Sequence, residues 1–126
     1  MSGYNIVGLG EILWDILPEG KQLGGAPANF TWHCNSMGAK GFIASCTGDD
    51  EHGKEISALL EKLNINTEYI SVDKSHPTGV VLVKLNRSGV PAYTIQEQVA
   101  WDYIPYNDKM AKLANNADAV CFGSLC

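Results

Sequence analysis

The segment Gly24-Gly25-Ala26-Pro27-Ala28-Asn29 is the most informative part of this chain, because it joins the end of an extended stretch to the start of a helix. A Gly-Gly pair lets backbone N–H groups approach a ligand that a Cβ atom would keep away. Pro27 is predicted at the first helical position, where first-turn amides have no helical partner. Free amides there favour a partner with oxygen acceptors, and the Asn29 side chain can both donate and accept. These residues fit either a polyhydroxylated ligand or an ordinary strand-to-helix connection.

The composition is that of one ordinary globular domain. The chain has 126 residues, of which 45% are hydrophobic and 18% charged, a balance that argues against disorder. The net charge is −5 and the basic residues are scattered, so neither nucleic acid nor an anionic membrane is expected as a partner. No basic leader precedes the first apolar stretch, and Glu11 and Asp15 interrupt it, so neither a signal peptide nor a membrane span is predicted. Four cysteines without a C-x-x-C pair are predicted to be reduced, buried thiols of a cytoplasmic protein: Cys34, Cys46, Cys121 and Cys126.

Short apolar runs predict the strands of a sheet. Residues 6–9 suit a fully buried strand, residues 13–17 continue extended, and residues 41–47 are a second strand candidate. Residues 119–123 are predicted to begin another buried strand. Because the chain ends soon afterwards, without the helix that a strand-helix unit would supply, we expect these 126 residues to be part of a longer protein.

Three segments have helical periodicity. The first, residues 27–37, is expected to bury Phe30, Cys34 and Met37 and to end at Gly38. The last covers residues 106–116. The middle helix is expected to start at a cap supplied by Asp49 or Asp50, with an apolar face formed by Ile56, Leu59, Leu60 and Leu63.

A β-hairpin is predicted in the middle of the chain. Residues 78–85 and 92–96 are extended and flank a turn at residues 86–89. Pro91 places the second strand at an edge or just after a bulge. Strands that alternate with helices predict an α/β fold with a parallel sheet, to which this hairpin is an antiparallel addition.

Several common site motifs are absent. Gly8-Leu9-Gly10 lacks the third glycine of a dinucleotide-binding turn, and Gly53-Lys54-Glu55 is not a P-loop. The histidines have no metal-ligand spacing.

Glu11 and Asp15 lie where a strand ends, which is where open α/β sheets bind ligands. From the residues alone, Glu11 is interpreted as a solvated loop charge, while Asp15 fits a loop or a binding role equally well.

Several motifs, in order, resemble a known family. The run Gly24-Gly25-Ala26-Pro27-Ala28-Asn29-Phe30-Thr31, followed by Gly38 and then Gly48-Asp49-Asp50-Glu51-His52-Gly53, resembles the first signature of the ribokinase-like (PfkB) carbohydrate kinases. Gly8-Leu9-Gly10-Glu11 with Asp15, and the later Ala100-Trp101-Asp102, are similar to bacterial fructokinases. The resemblance covers essentially the whole chain.

The resemblance implies a Rossmann-like (ribokinase-like) α/β sandwich with a mainly parallel sheet and a small β-sheet lid, formed by segments of about 12–24 and 78–103. Lid sheets of such kinases pair between subunits, which implies a homodimer and would cover an exposed sheet edge. The implied sugar site consists of Asp15 on the sugar hydroxyls, the backbone of Gly24 and Gly25, the side chain of Asn29, and contacts from Tyr93 and Ile95 on the lid.

The implied reaction transfers the γ-phosphoryl group of ATP, with Mg²⁺, to a primary hydroxyl of a small sugar, for which fructose is expected. The catalytic aspartate and the anion hole belong to a second signature, Gly-Ala-Gly-Asp, and the sequence contains no such run. The chain is therefore expected to hold the sugar-binding half and to lack the C-terminal ATP-binding half. It is expected to contribute no catalytic residue and no metal ligand, and to be inactive alone.

Two alternatives stay open at this point. One is a kinase of the same family for another sugar or a nucleoside. Ribose is disfavoured because Ala26 stands where ribokinases have lysine, and a phosphorylated sugar would need a basic residue such as Lys21 or Arg87 at the site. The other is a non-catalytic sugar-binding or regulatory module.

Overall fold

The computed structural model describes residues 3–125, which fold into a mixed α/β arrangement with two four-stranded sheets. Cys126 lies outside these residues. In chain order, the strands are β1 (Asn5–Leu9), β2 (Leu13–Leu17), β3 (Gly20–Gly24), β4 (Lys40–Gly48), β5 (Ile70–Asp73), β6 (Gly79–Leu85), β7 (Pro91–Ile95) and β8 (Ala119–Phe122). The helices are α1 (Ala26–Ser36), α2 (Glu51–Lys62) and α3 (Asp108–Asn116), with a 3₁₀ helix at Ala100–Tyr103.

The first sheet, with strand order β5-β4-β1-β8, is parallel throughout. On one face Ile43 packs with Ala28 of α1 and with Ile56 and Leu60 of α2. On the other face α3 packs against β1 and β4. Helices on both faces of a parallel sheet confirm the predicted α/β class. The short strand β5 was not predicted.

The predicted buried face of α1 is confirmed at Cys34 but wrong at Phe30 and Met37. Phe30 and Met37 are exposed, and the helix instead buries Pro27, Ala28, Thr31 and Cys34. The reason is close packing on the sheet, because a Cβ atom at Gly8 would overlap the carbonyl oxygen of Pro27 and the hydroxyl of Thr31. Small side chains are needed where the helix approaches the strand backbone so closely.

The strand β8 is more exposed than predicted. Val120 and Phe122 are 48% and 74% exposed, and β8 pairs only with β1 among the described residues. The apolar run predicts a strand correctly, but it does not show whether both sides of that strand are covered. Among the cysteines, Cys34 and Cys46 are buried and Cys121 is half-buried, all three as free thiols.

The second sheet has the strand order β3-β2-β6-β7. It contains the predicted hairpin of β6 and β7, and Pro91 opens the edge strand β7 as expected. It joins that hairpin to the hairpin of β2 and β3 through a parallel pairing of β2 with β6. The strands of the two segments assigned to the lid from the sequence resemblance therefore lie in one sheet, while residues 100–103 of the second segment form the 3₁₀ helix.

One face of this second sheet is anchored to α2. The indole N–H of Trp14 donates to the carbonyl oxygen of His52 at 3.1 Å, and Lys21 forms an ion pair with Glu55. The Lys21 ammonium also lies 4.8 Å from the centre of the Trp14 ring. Because side chains alternate between the two faces of a strand, the neighbours of Trp14 and Lys21 on β2 and β3 project from the opposite face.

Asp50 and Thr78 connect the start of α2 to the start of the second sheet. The Asp50 carboxylate accepts the N–H of Gly53 as the helix cap, and it also accepts both the N–H and the hydroxyl of Thr78. The Thr78 hydroxyl accepts the N–H of Gly48 in turn. Burial raises the pKa of the Asp50 carboxyl, but the bonds from Thr78 and Gly53 outweigh it, so the pKa lies below its ordinary value.

Asp50→Ala is expected to lower the free energy of unfolding by about 2–4 kcal/mol, from the lost helix cap and the charge-assisted bonds to Thr78. The measurement is urea denaturation at pH 7, with Asp49→Ala as the matched control, because Asp49 is exposed. The folded pKa is depressed, so the stabilisation is present above the unfolded pKa and is lost as the pH falls through the folded value. Equal effects of the two variants, or a difference that grows in acid, would contradict this account.

Candidate functional site

Asp15 and Gly24 lie together on the face of the second sheet that points away from α2. In the register of β2 and β3, Leu13 pairs with Gly24 and Asp15 with Gln22, so Asp15 and Gly24 are diagonal neighbours. A Cβ atom on Gly24 would overlap Oδ2 of Asp15 and lie 3.0 Å from its Cγ. The carboxylate therefore rests directly over the bare backbone of Gly24, and only glycine leaves room for it there.

The Asp15 carboxylate is only half-buried, and residues 3–125 supply it with no hydrogen-bond donor. Burial alone raises the pKa of this carboxyl above its ordinary value. An ionised carboxylate has acceptor positions on both oxygens and no hydrogen of its own to donate. Such a group suits a ligand that brings hydroxyl donors.

Gly25 makes the connection into α1 with a backbone that favours glycine. Its φ is +106°, a conformation that L side chains rarely adopt, and a Cβ atom would overlap the carbonyl oxygen of Glu11. Gly25 is the residue that precedes the first helical turn, and its carbonyl oxygen accepts the N–H of Asn29 at 3.0 Å. Pro27 is the second helical residue, not the first as predicted, because the helix begins at Ala26.

Glu11 was interpreted as a solvated loop charge, and that interpretation is wrong. The residue is only 5% exposed, and its Oε1 accepts the N–H of Ala26 at 3.2 Å. Its Oε2 is buried with no partner among residues 3–125. The sequence contains an indirect signal that Glu11 caps α1. The cap residue is a glycine and the first turn contains no acidic residue, so the helix start needs an acceptor from elsewhere in the chain.

The other predicted site residues have different surroundings. Val81 of β6 pairs with both Asp15 and Ile95, and Val83 pairs with Tyr93, so Ile95 and Tyr93 share the face of Asp15. Both are solvent-accessible, Tyr93 at 63% and Ile95 at 40%. Asn29 lies on the exposed side of α1, in the helical turn that follows Gly25.

Trp101 borders the same face and was not assigned to a site from the sequence. A Cβ atom on Gly79, which pairs with Leu13, would lie 2.6 Å from both Cδ1 and Nε1 of this indole. Trp101 also lines an apolar cavity of about 780 Å³ at the carboxyl ends of β1 and β8, together with Leu9, Gly10, Phe122 and Gly123. The indole therefore borders both the Asp15 face and this cavity.

Neither basic candidate occupies a strand position on the Asp15 face. Lys21 pairs with Ile16, so it projects from the opposite face of β3, where it pairs with Glu55. Arg87 belongs to the turn between β6 and β7. Within residues 3–125 no three His, Cys, Asp or Glu side chains are grouped as metal ligands. None of the helices described is long and apolar enough to cross a membrane.

Comparisons with known proteins agree with this fold. An uncharacterized sugar kinase of Pyrococcus horikoshii is 31% identical over an alignment 131 residues long, which covers 95% of this chain and 42% of that protein. Its structure superposes with a TM-score of 0.80 at 29% identity, over 98% of this chain and 43% of that chain. It has also been solved in complex with ATP, with a TM-score of 0.74 to this chain at 27% identity, over 96% of this chain and 43% of that one.

Fructokinases give similar matches. The fructokinase of Solanum tuberosum is 27% identical over an alignment 138 residues long, which covers 99% of this chain and 43% of that protein. The fructokinase structure from Halothermothrix orenii has a TM-score of 0.77 at 25% identity, over 94% of this chain and 45% of that one. This chain therefore spans less than half the length of these relatives. Residues 19–126 match the pfkB family carbohydrate kinase profile, and the chain belongs to that family.

Proposed function

We propose that this chain is the N-terminal, sugar-binding part of an ATP-dependent sugar kinase and that fructose is its substrate. The observation that carries the proposal is the Asp15 carboxylate over Gly24, beside the glycine turn into α1. Hydroxyl recognition by such a group is selective, because a carboxylate left unpaired by the wrong sugar costs about 1–3 kcal/mol.

Fructose is favoured over charged substrates by the residues around Asp15. Lys21 is engaged with Glu55 on the opposite face of the sheet, so the cation nearest in sequence is not available for a phosphate or a carboxylate. Fructokinases among the relatives support the same substrate. In this proposal Asp15, Gly24, Gly25 and Asn29 hold the sugar, and Tyr93 and Ile95 contact it from the second sheet, which acts as a lid.

The remaining chemistry is assigned to the part of the protein that this chain does not contain. ATP and Mg²⁺ are co-substrates in this proposal, and the described residues offer no cluster for a metal ion. The exposed edge strand β7 supports pairing of two lids in a homodimer. Free thiols at Cys34, Cys46 and Cys121 support a reducing, cytoplasmic location.

The test starts from the complete reading frame that contains this sequence, which we expect to continue into a Gly-Ala-Gly-Asp run. The complete protein is then screened by thermal shift against fructose, ribose, a nucleoside and gluconate, because a ligand that binds the native state raises its stability. We expect fructose to give the largest shift and ATP-dependent phosphorylation to follow, with no turnover by residues 1–126 alone. A frame without that run, or a protein that binds fructose without phosphorylating it, would indicate a non-catalytic sugar-binding module instead.

A further inference from the structure

The start of α1 already has a negative partner from elsewhere in the chain. Its cap residue is Gly25, which has no side chain, and its first turn contains no acidic residue. The Glu11 carboxylate supplies the missing acceptor by taking the N–H of Ala26 at 3.2 Å. Pro27 has no N–H, so one of the first amides of α1 is occupied and another is absent.

The position of Glu11 is unfavourable for a carboxylate unless the helix start stabilises it. The residue is 5% exposed, and no donor among residues 3–125 reaches its Oε2. A Cβ atom on Gly123 would lie 3.5 Å from Oε2, so the end of β8 closes over that oxygen. An acceptor buried in this way is rare in native proteins and calls for an explanation. The positive end of the α1 dipole provides the compensating interaction.

Glu11 also supports the residues proposed to bind the sugar. A Cβ atom on Gly25 would lie 3.0 Å from the carbonyl carbon of Glu11, so the turn packs on the Glu11 backbone while the Glu11 side chain holds the next residue, Ala26. Glu11 thus holds the Gly24–Gly25 turn in place through both its own backbone and its own side chain.

We infer that Glu11 is a positioning and specificity-determining residue: it caps α1 from a distance, holds the Gly24–Gly25 turn in place, and makes the site select uncharged polyols over sugar acids. A helix N-terminus normally attracts anions, but here the chain's own Glu11 side chain occupies it, and Asp15 adds a second acidic side chain nearby. The selectivity part of this inference rests on the proposed function, whereas the capping part does not.

The test separates the charge of Glu11 from its hydrogen bond. Glu11→Gln keeps an acceptor for the Ala26 N–H and removes the charge, whereas Glu11→Met removes both at similar length. Fructose and gluconate are titrated by calorimetry into the complete wild-type protein and both variants. Glu51→Gln serves as the matched control, because Glu51 is an exposed carboxylate in the first turn of α2.

In Glu11→Gln we expect fructose affinity to stay within about threefold of wild type while gluconate binding improves about three- to tenfold. In Glu11→Met we expect fructose binding to weaken about tenfold, because the Ala26 N–H loses its acceptor. The control is expected to leave both affinities unchanged. If Glu11→Gln preserves the wild-type ratio of fructose to gluconate affinity, the selectivity role is wrong, even where fructose is phosphorylated normally.

Amide hydrogen exchange provides a readout that needs no ligand. The amide of Ala26 is expected to exchange faster in Glu11→Met than in Glu11→Gln, since only the glutamine can accept its hydrogen bond. Equal exchange in the two variants overturns the capping role. Failure of wild-type protein to bind fructose would count against the proposed function, while the exchange result still tests the cap.

Discussion

Gly24→Ala is expected to weaken fructose binding about 10- to 100-fold while the protein stays folded. The added methyl would overlap Oδ2 of Asp15 and therefore displace the carboxylate from its place over the β3 backbone. The overlap involves the end of a rotatable side chain and not the backbone, so the side chain can move away and the sheet can keep its pairing. Calorimetric titration with fructose measures the affinity, and the thermal midpoint checks the fold.

A double-mutant cycle shows whether this effect passes through Asp15. If Gly24→Ala acts only by displacing that carboxylate, adding it to Asp15→Ala should cause no further loss of fructose affinity. Losses that simply add would mean that Gly24 contacts the sugar independently of Asp15. An unchanged affinity in Gly24→Ala alone would show that the observed position of the Asp15 carboxylate is not needed for binding.

Asp15→Asn is expected to lower fructose affinity by a similar factor and, at the same time, to raise the thermal midpoint at neutral pH. Asparagine replaces one acceptor oxygen by a donor group and removes the charge, so it cannot accept a sugar hydroxyl at each of its two terminal atoms, and the bonds that it does accept are weaker. Burial raises the pKa of Asp15 in the folded protein. The contribution of Asp15 to stability is therefore fully present below the unfolded pKa and is lost as the pH rises through the folded pKa. Above that pH the half-buried charge destabilises the folded protein, and asparagine removes this charge.

The measurement compares thermal midpoints at pH 4 and pH 7.5, with Glu19→Gln as the control. Glu19 is an exposed carboxylate in the turn between β2 and β3, so its neutralisation should change neither stability nor sugar affinity. The gain from Asp15→Asn should be present at pH 7.5 and smaller at pH 4. A variant that binds fructose as wild type does, or one that is less stable at pH 7.5, would contradict the role assigned to Asp15.

Local sequence signals predict much of the fold. The cap at Asp50, the turn before Gly89 and the edge position of Pro91 depend on residues within a few positions of each other, and each agrees with the structure. The grouping of Asp15 with Gly24 is also reachable from the sequence, because an extended segment, a short turn and a second extended segment place the two on neighbouring strands.

Features set by distant contacts are not predictable in the same way. The buried face of α1 depends on Gly8 and Gly41, where the strands leave room for Thr31 to approach their backbone. Hydrophobicity alone selects Phe30 and Met37 as the buried residues, since it carries no information about that spacing. The burial of Glu11 depends on a helix start that lies 15 residues later in the chain.

The alternation of side chains along β2 separates two tasks within one strand. Trp14 fastens the sheet to α2, and Asp15, the next residue, faces the other way. On the site assignment proposed above, changes at Asp15, Gln22, Tyr93 and Ile95 therefore alter the ligand preference without weakening the anchor formed by Trp14 and Lys21. A library randomised at those four positions would sample new substrates on an unaltered scaffold, and the same separation gives evolution a route to diversify the specificity of this fold.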